Sequence, residues 1–231
     1  MKKHIPNIIT LLNLFSGCIA LIYAIDGNFY YTFLFVCLGI FFDFFDGFFA
    51  RIFKVSSSLG LQLDSLADMV TSGLVPGFVM YRMLSNNTDL EWLPYLGFLI
   101  TLGSCYRLAK FNIDTRQTDS FIGLPTPANA LFIISLSVIS GYDPNTYPIV
   151  THLHHIFTLL TITILSAFAL NMEVPLFSLK IKQFDLRKYT LQIGFIFVSV
   201  ILLLFLKTWS VPIIILSYIV LSIINNKILQ K

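Results

Sequence analysis

The stretch that decides the fold is FFDFFDGFFARIFKVSSSLGLQLDSLADM, residues 41–69. It places four aspartates, Asp43, Asp46, Asp64 and Asp68, in a region that is otherwise strongly apolar. Members of each pair are three or four residues apart, so each pair lies on one face of a helix. Only a short turn separates the two pairs, which predicts two antiparallel helices whose acidic faces meet.

The whole chain has the composition of a membrane protein. Hydrophobic residues make up 56% of its 231 residues and charged residues only 12%, whereas about 25% of the residues in soluble domains are charged. The net charge of +3 is too small to indicate a nucleic-acid partner. The composition therefore argues against an ordinary soluble domain and predicts an all-α integral membrane protein.

Eight apolar windows approach the length of about 20 residues that a bilayer requires. They are 8–25, 29–50, 62–81, 92–110, 123–141, 153–171, 190–207 and 210–227. If the N-terminus is cytoplasmic, 13 of the 15 basic residues fall on the cytoplasmic side, and only Arg82 and Lys207 do not. The positive-inside rule therefore predicts eight spans in the cell (inner) membrane, with both termini and the acidic faces at the cytoplasmic side.

The chain divides into three predicted regions. Residues 1–171 form a six-span body, 172–189 a cytoplasmic connection, and 190–231 a two-span tail. The basic start of the chain has some features of a cleavable signal, but Asn7 and Asn13 interrupt its apolar run. We therefore expect the first span to be retained.

The four aspartates need positive charge nearby, because converging carboxylates inside a membrane repel one another. Divalent cations provide it: oxygen ligands suit magnesium, manganese or calcium, and two metal ions commonly clamp a phosphoryl group during displacement. Two other interpretations remain open from spacing alone. The aspartates could form structural ion pairs with Arg51 and Lys54, or line a cation or proton pathway in a transporter.

The same stretch resembles the signature of the CDP-alcohol phosphotransferase family. The fixed positions of that signature are matched by Asp43, Asp46, Gly47, Ala50, Arg51, Gly60, Asp64 and Asp68. The resemblance implies a six-helix core, here followed by two extra C-terminal helices, and attack of an alcohol on a CDP-activated substrate with loss of CMP. It also implies that the four aspartates hold two divalent cations, Mg²⁺ or Mn²⁺, and that Asp68 acts as the general base.

The resemblance further implies a nucleotide site. The residues expected to contact CDP are Asn7, Thr10, Gly47, Ala50, Arg51 and Gly60. The small residues would leave room for the nucleotide, and Arg51 would add positive charge beside it. The first two belong to IPNIIT, residues 5–10, which resembles the segment before the first span of many family members. Ordinary helix capping is the alternative role for that segment.

Three further stretches bear on the acceptor alcohol. They are LDSLADMVTSGLVPG at 63–77, YRLAKFNI at 106–113 and FIGLPTPANA at 121–130. They resemble the bacterial family members that use serine, which implies transfer of the phosphatidyl group from CDP-diacylglycerol to L-serine, giving phosphatidylserine and CMP. Arg107, Lys110 and Asn112 are the expected serine contacts, since a carboxylate suits an arginine partner.

Alternatives to this acceptor assignment remain. Arg107 and Lys110 could simply anchor a helix end at the cytoplasmic face. Glycerol 3-phosphate is the other acceptor considered, which would make the chain a phosphatidylglycerophosphate synthase. The resemblance also implies a homodimer surrounded by membrane lipid.

Overall fold

The computed structural model describes residues 4–55, 57–114, 121–176 and 190–229. The helices are α1 (Ile5–Ile25), α2 (Phe29–Ile52), α3 (Ser58–Asp68), α4 (Val75–Ser85), α5 (Leu99–Ile113), α6 (Thr126–Ser140), α7 (Ile149–His152), α8 (Ile156–Asn171), α9 (Thr190–Leu206) and α10 (Ser210–Leu229). A π-helical segment, Met69–Leu74, joins α3 to α4, and 3-10 turns at Leu93–Phe98 and Lys207–Trp209 precede α5 and α10. Two short strands, β1 (Phe121–Ile122) and β2 (Pro175–Leu176), pair antiparallel.

The predicted all-α membrane fold is confirmed at the level of class. Three helical stretches are long and apolar enough to cross a membrane: Ile5–Ile25, Phe29–Ile52 and Leu191–Asn225. Helices Thr126–Ser140 and Ile156–Asn171 are apolar but shorter. Each of the eight predicted windows contains helix, while their number as spans and the three-region division stay predictions. Much of the predicted cytoplasmic charge falls in 1–3, 115–120 and 177–189, outside the described residues.

Helices α1 and α2 form the most extensive helix pair of the bundle. Small residues allow this, because they let helix backbones approach closely. A Cβ atom added at Gly17 would lie 2.4 Å from Thr71 Oγ1, and one added at Gly39 would lie 2.7 Å from Thr71 Cγ2. The two helices and the π-helical segment therefore meet tightly, directly beside the acidic faces.

The helix that carries Asp64 and Asp68 changes its winding immediately after Asp68. In the π-helical segment the Val75 N–H donates to the Val70 carbonyl, five residues back. Pro76 follows and lacks an N–H, so the regular ladder is interrupted here. Thr101 of α5 donates its hydroxyl to the Gly73 carbonyl at 3.0 Å. Such wide turns recur at functional sites.

The apolar core lies away from the aspartates. It is built mainly from the C-terminal half of α1, the N-terminal half of α2, and α4, with fully buried members such as Val36, Val79, Met80, Ile100 and Ile133. The acidic groups lie outside this cluster, because Asp43 and Asp46 belong to the C-terminal half of α2.

Candidate active site

The aspartates converge where the last turns of α2 meet α3. Carboxylate oxygens of Asp43, Asp46 and Asp64 all lie within 4.8 Å of one another. Asp68, one helical turn beyond Asp64, is only 9% exposed, and Asp46 only 5%. Like charges at this separation are unfavourable without a counter-charge. The donor set, made only of carboxylate oxygens, therefore fits a hard divalent cation.

The start of α3 is fixed by a cap that also shapes the site. Ser57 Oγ accepts a hydrogen bond from the Gly60 N–H at 3.0 Å, which is the usual way to begin a helix. A Cβ atom at Gly60 would approach Asn7 Oδ1 to 3.3 Å. On the facing helix the Arg51 Nε donates to the Gly47 carbonyl at 3.0 Å. The predicted small residues therefore lie where α1, α2 and α3 come close together.

Helix α1 holds two of the four carboxylates in place. Thr10 Oγ1 contacts Asp46 Oδ2 at 2.5 Å and the Pro6 carbonyl at 3.0 Å. Asn13 Nδ2 donates to Asp68 Oδ1 at 3.2 Å, and Thr71 Oγ1 donates to the Asn13 carbonyl at 3.2 Å. Two acidic side chains are thus oriented by hydrogen bonds from the neighbouring helix.

Asn13 is the contact that sequence reasoning missed. It is fully buried, and its Oδ1 has no hydrogen-bond partner among the described residues. A signal was present, because Asn7, Thr10 and Asn13 recur every three residues and so follow one side of α1. From the sequence alone, Asn13 is predicted only to interrupt an apolar run.

A cavity of about 780 Å³ opens over the carboxylates. The predicted metal and nucleotide residues that line it are Asn7, Thr10, Asp43, Asp46, Gly47, Ala50, Arg51, Gly60, Asp64 and Asp68. That is the complete set expected for the metal and CDP. The structure therefore gathers these residues around one space, while their individual roles stay predictions.

Another part of the cavity lining comes from two segments that are distant in sequence. Arg107, Leu108 and Phe111 of α5 face it, and Pro125 and Pro127 border it at the start of α6. Arg107 is 8% exposed, and its Nε has no hydrogen-bond partner among the described residues. A buried guanidinium with a free donor is suited to bind an anionic group.

The other two predicted serine contacts lie outside the cavity lining. Lys110 Nζ forms an ion pair with Glu173 Oε1 at 2.8 Å, and Asn112 Nδ2 donates to Ser65 Oγ at 2.8 Å. Of the three, only Arg107 lines the cavity. Lys110 and Asn112 stay predictions as serine contacts, and the structure shows both engaged with other parts of the chain.

Fold and site together define a helical membrane protein with a carboxylate cluster of the kind that binds divalent cations. A model of the CDP-alcohol phosphatidyltransferase family matches residues 3–166. The chain belongs to this family, whose members use divalent metal ions. The resemblance noted from the aspartate signature is thus confirmed.

Several curated relatives share its sequence. A CDP-diacylglycerol–serine O-phosphatidyltransferase of Bacillus subtilis is 38% identical over 146 residues, which is 62% of this chain and 78% of that protein. One of Helicobacter pylori strain J99 is 33% identical, over 56% of this chain and 55% of that protein. An archaetidylserine synthase of Methanothermobacter thermautotrophicus is 31% identical, over 60% of each. The similarity is therefore shared by bacterial and archaeal proteins.

Proposed function

We propose that this protein is an enzyme that transfers the phosphatidyl group from CDP-diacylglycerol to the hydroxyl of L-serine, giving phosphatidylserine and CMP. The observation that carries the proposal is the convergence of four aspartates on a single cavity that Arg107 also lines. The names of the relatives support the choice of serine, since those cited from Bacillus and Helicobacter are serine O-phosphatidyltransferases.

Asp43, Asp46, Asp64 and Asp68 would hold two divalent cations, Mg²⁺ or Mn²⁺. When bound, such ions offset negative charge on the phosphate oxygens and on the departing CMP. The chain contributes the placement of these ligands. Thr10 orients Asp46, and Asn13 orients Asp68, so neither carboxylate has to be ordered at the moment of reaction.

Asp68 is the proposed general base. The serine oxygen forms a bond to the β-phosphorus, the bond from that phosphorus to the bridging oxygen breaks, and CMP leaves with the oxygen. The serine proton passes to the Asp68 carboxylate, which must lie within hydrogen-bond reach of the hydroxyl. Burial of Asp68 beside Asn13 holds the acceptor atom in one orientation.

The nucleotide would occupy the part of the cavity between α1 and the α2–α3 turn. Gly47, Ala50 and Gly60 leave space there, and Arg51 brings positive charge. Asn7 and Thr10 line the same region. Because the Thr10 hydroxyl is already engaged with Asp46, we infer that it acts on the nucleotide mainly through that carboxylate.

Serine would bind against the part of the lining formed by α5 and the start of α6, with its carboxylate on Arg107. A buried guanidinium gains from an anionic partner, and Pro125 and Pro127 restrict the movement of the adjoining wall. Lys110 and Asn112 are not among the residues that line the cavity, so any effect they have on serine binding would be indirect.

The proposed setting is the inner membrane, with both termini and the site at the cytoplasmic face. We propose that the chain consists of a six-span body, a cytoplasmic connection and a two-span tail, and that it assembles as a homodimer. The asymmetry of basic residues in the sequence supports the orientation.

An acceptor assay tests the function. Purified protein is given CDP-diacylglycerol with Mg²⁺ or Mn²⁺ and either serine or glycerol 3-phosphate, and CMP and lipid products are measured. We expect CMP and an aminophospholipid with serine only, and loss of both on chelation of the metal. Release of CMP with glycerol 3-phosphate but not with serine would indicate a phosphatidylglycerophosphate synthase. Ion flux in liposomes without CMP release would indicate a transporter.

A further inference from the structure

A second cavity, of about 490 Å³, lies where α2 begins. Its lining comes from the α1–α2 loop, the first residues of α2 and the end of α6. The aspartates belong to the C-terminal half of the same helix, so Phe29 in the lining and Asp43 are about 20 Å apart along the helix axis. The two cavities share no lining residue, and the proposed chemistry therefore leaves the second one unexplained.

Two side chains of opposite charge adjoin this second cavity. Asp26 lines it. Arg82 of α4 lies beside it, because its Nη2 atom would be 3.6 Å from a Cβ atom added at Gly27, another residue of the lining. Among the described residues, Arg82 Nε is buried without a hydrogen-bond partner, and no ion pair joins Arg82 to Asp26. Both charges can therefore interact with a ligand.

The ends of two helices repeat this pattern of charge. Helix α2 begins at Phe29, within the lining, and a helix N-terminus carries partial positive charge. Helix α6 ends at Ser140, and Ser137 and Gly141 line the cavity; a helix C-terminus carries partial negative charge. The cavity therefore favours a ligand with one negative and one positive group, since a purely anionic ligand would meet Asp26 and the end of α6 without a counter-charge.

The surroundings of the cavity suit a membrane lipid rather than a free solute. Tyr142 lines it, and the Tyr142 ring lies 5.6 Å from the rings of Tyr147 and Trp209; aromatic groups of this kind are enriched at the membrane–water interface. Ile25, which precedes the loop, is 53% exposed and offers an apolar surface to acyl chains. Arg82 is also one of the two basic residues that the predicted topology places away from the cytoplasm, where a lipid phosphate would give it a partner.

We propose that this cavity binds the headgroup of a zwitterionic phospholipid. The phosphate lies at Arg82 and the start of α2, and the ammonium group lies at Asp26 and the end of α6. A bound lipid connects the α1–α2 loop to α6 at the end of the bundle that is remote from the aspartates. The inference does not depend on the proposed function, because none of the residues assigned to the reaction takes part in it.

Trp209 supplies the readout, because its ring lies beside that of Tyr142 and the chain has only one other tryptophan, Trp92. The full-length Trp92→Phe protein is placed in phosphatidylglycerol vesicles, and quenching of Trp209 fluorescence is measured with phosphatidylethanolamine or phosphatidylglycerol that carries brominated acyl chains. We expect phosphatidylethanolamine to quench at a mole fraction about 1.5- to 5-fold lower, the size expected for a partly exposed ion pair. Equal quenching by both lipids would overturn the proposal. Reversal of the quenching by soluble phosphoethanolamine would also overturn it, by assigning the site to a free solute.

Single substitutions in the same Trp92→Phe protein assign the two charges. Arg82→Gln should remove the preference for phosphatidylethanolamine by weakening its binding, whereas Asp26→Asn should remove it by strengthening quenching by phosphatidylglycerol. Lys207→Gln and Asp89→Asn are the matched controls, because both residues are exposed and neither lines the cavity. A preference that survives both Arg82→Gln and Asp26→Asn, or that is lost equally in the controls, would overturn the proposed site.

Discussion

The two walls of the cavity are built in different ways. The aspartate wall comes from α1, α2 and α3, which are consecutive in the chain, and its polar atoms are tied by side-chain hydrogen bonds such as Asn13 to Asp68. The acceptor wall combines α5 with the segment before α6, and it is supported from behind by α10. Its main charged group, Arg107, keeps an unpaired Nε within the described chain.

This difference suggests a division of labour between the walls. Chemistry common to a family needs a rigid arrangement of metal ligands, which contiguous helices provide. Recognition of one alcohol needs only a few groups, which distant segments can supply. We therefore expect changes in the aspartate wall to alter kcat, and changes in the acceptor wall to alter the KM for serine.

The largest effect is expected for Asp68→Asn. Loss of a general base typically costs about 10²- to 10⁴-fold in rate, and we expect kcat to fall by that factor. CMP binding, measured by calorimetry, should weaken less, because three other carboxylates remain. Asp143→Asn is the control: Asp143 is exposed, far from the cavity, and bonded to its neighbours Asn145 and Thr146. A variant at position 68 with near-normal turnover would remove Asp68 from the role of base.

A smaller and different effect is expected for Arg107→Gln. A hydrogen bond to a charged group is worth about 1.5–3 kcal/mol, which corresponds to a rise of about 10- to 160-fold in the KM for serine. The KM for CDP-diacylglycerol should change little. Initial rates at varied serine and fixed CDP-diacylglycerol measure the difference.

Lys110→Gln is the matched comparison for Arg107→Gln. Lys110 is on the same helix but is paired with Glu173 outside the cavity. The KM of the Lys110→Gln variant for serine should therefore stay close to that of the wild type. An equal rise in the KM for serine in both variants would contradict the role given to Arg107, because general positive charge rather than one oriented guanidinium would then attract serine.

The aspartate wall was largely predictable from sequence, and the acceptor wall was not. Helical spacing alone placed Asp43, Asp46, Asp64 and Asp68 on facing stripes, since neighbours at three and four residues share a face. On α5 the same reasoning was less effective. Asn112 is five residues from Arg107, nearly one and a half turns, and so lies on a different face. Which face borders the cavity depends on tertiary packing that the local pattern does not contain.

The tail and the π-helical turn also lay beyond sequence reasoning. The predicted span 62–81 contains no sign of the wide turn before Pro76, or of the contact between Thr71 and the Asn13 carbonyl. Likewise, the apolar composition of 190–227 predicted membrane helices without showing that Tyr218 packs in a buried cluster with Leu124 and Leu176. Long-range pairs of this kind leave no periodic signal in a single sequence.

The smallest effect is expected for Asn13→Ala, a change in the aspartate wall. Asn13→Ala removes the donor to Asp68 Oδ1, so the carboxylate is less well oriented, and we expect kcat to fall about 2- to 10-fold, the usual size for one hydrogen bond. Both KM values should stay within about twofold, because Asn13 is not among the residues that line the cavity.

Ser16→Ala separates orientation of Asp68 from packing of α1. Ser16 is 3% exposed on the same helix, and its hydroxyl donates to the Leu12 carbonyl at 2.8 Å within α1. It therefore shares the burial of Asn13 without its contact to the site. If Ser16→Ala lowered kcat as much as Asn13→Ala, the effect would come from close packing of α1, and the hydrogen bond to Asp68 would have no separate part in catalysis. A loss confined to Asn13→Ala would extend the rigid aspartate wall to a residue outside the family signature.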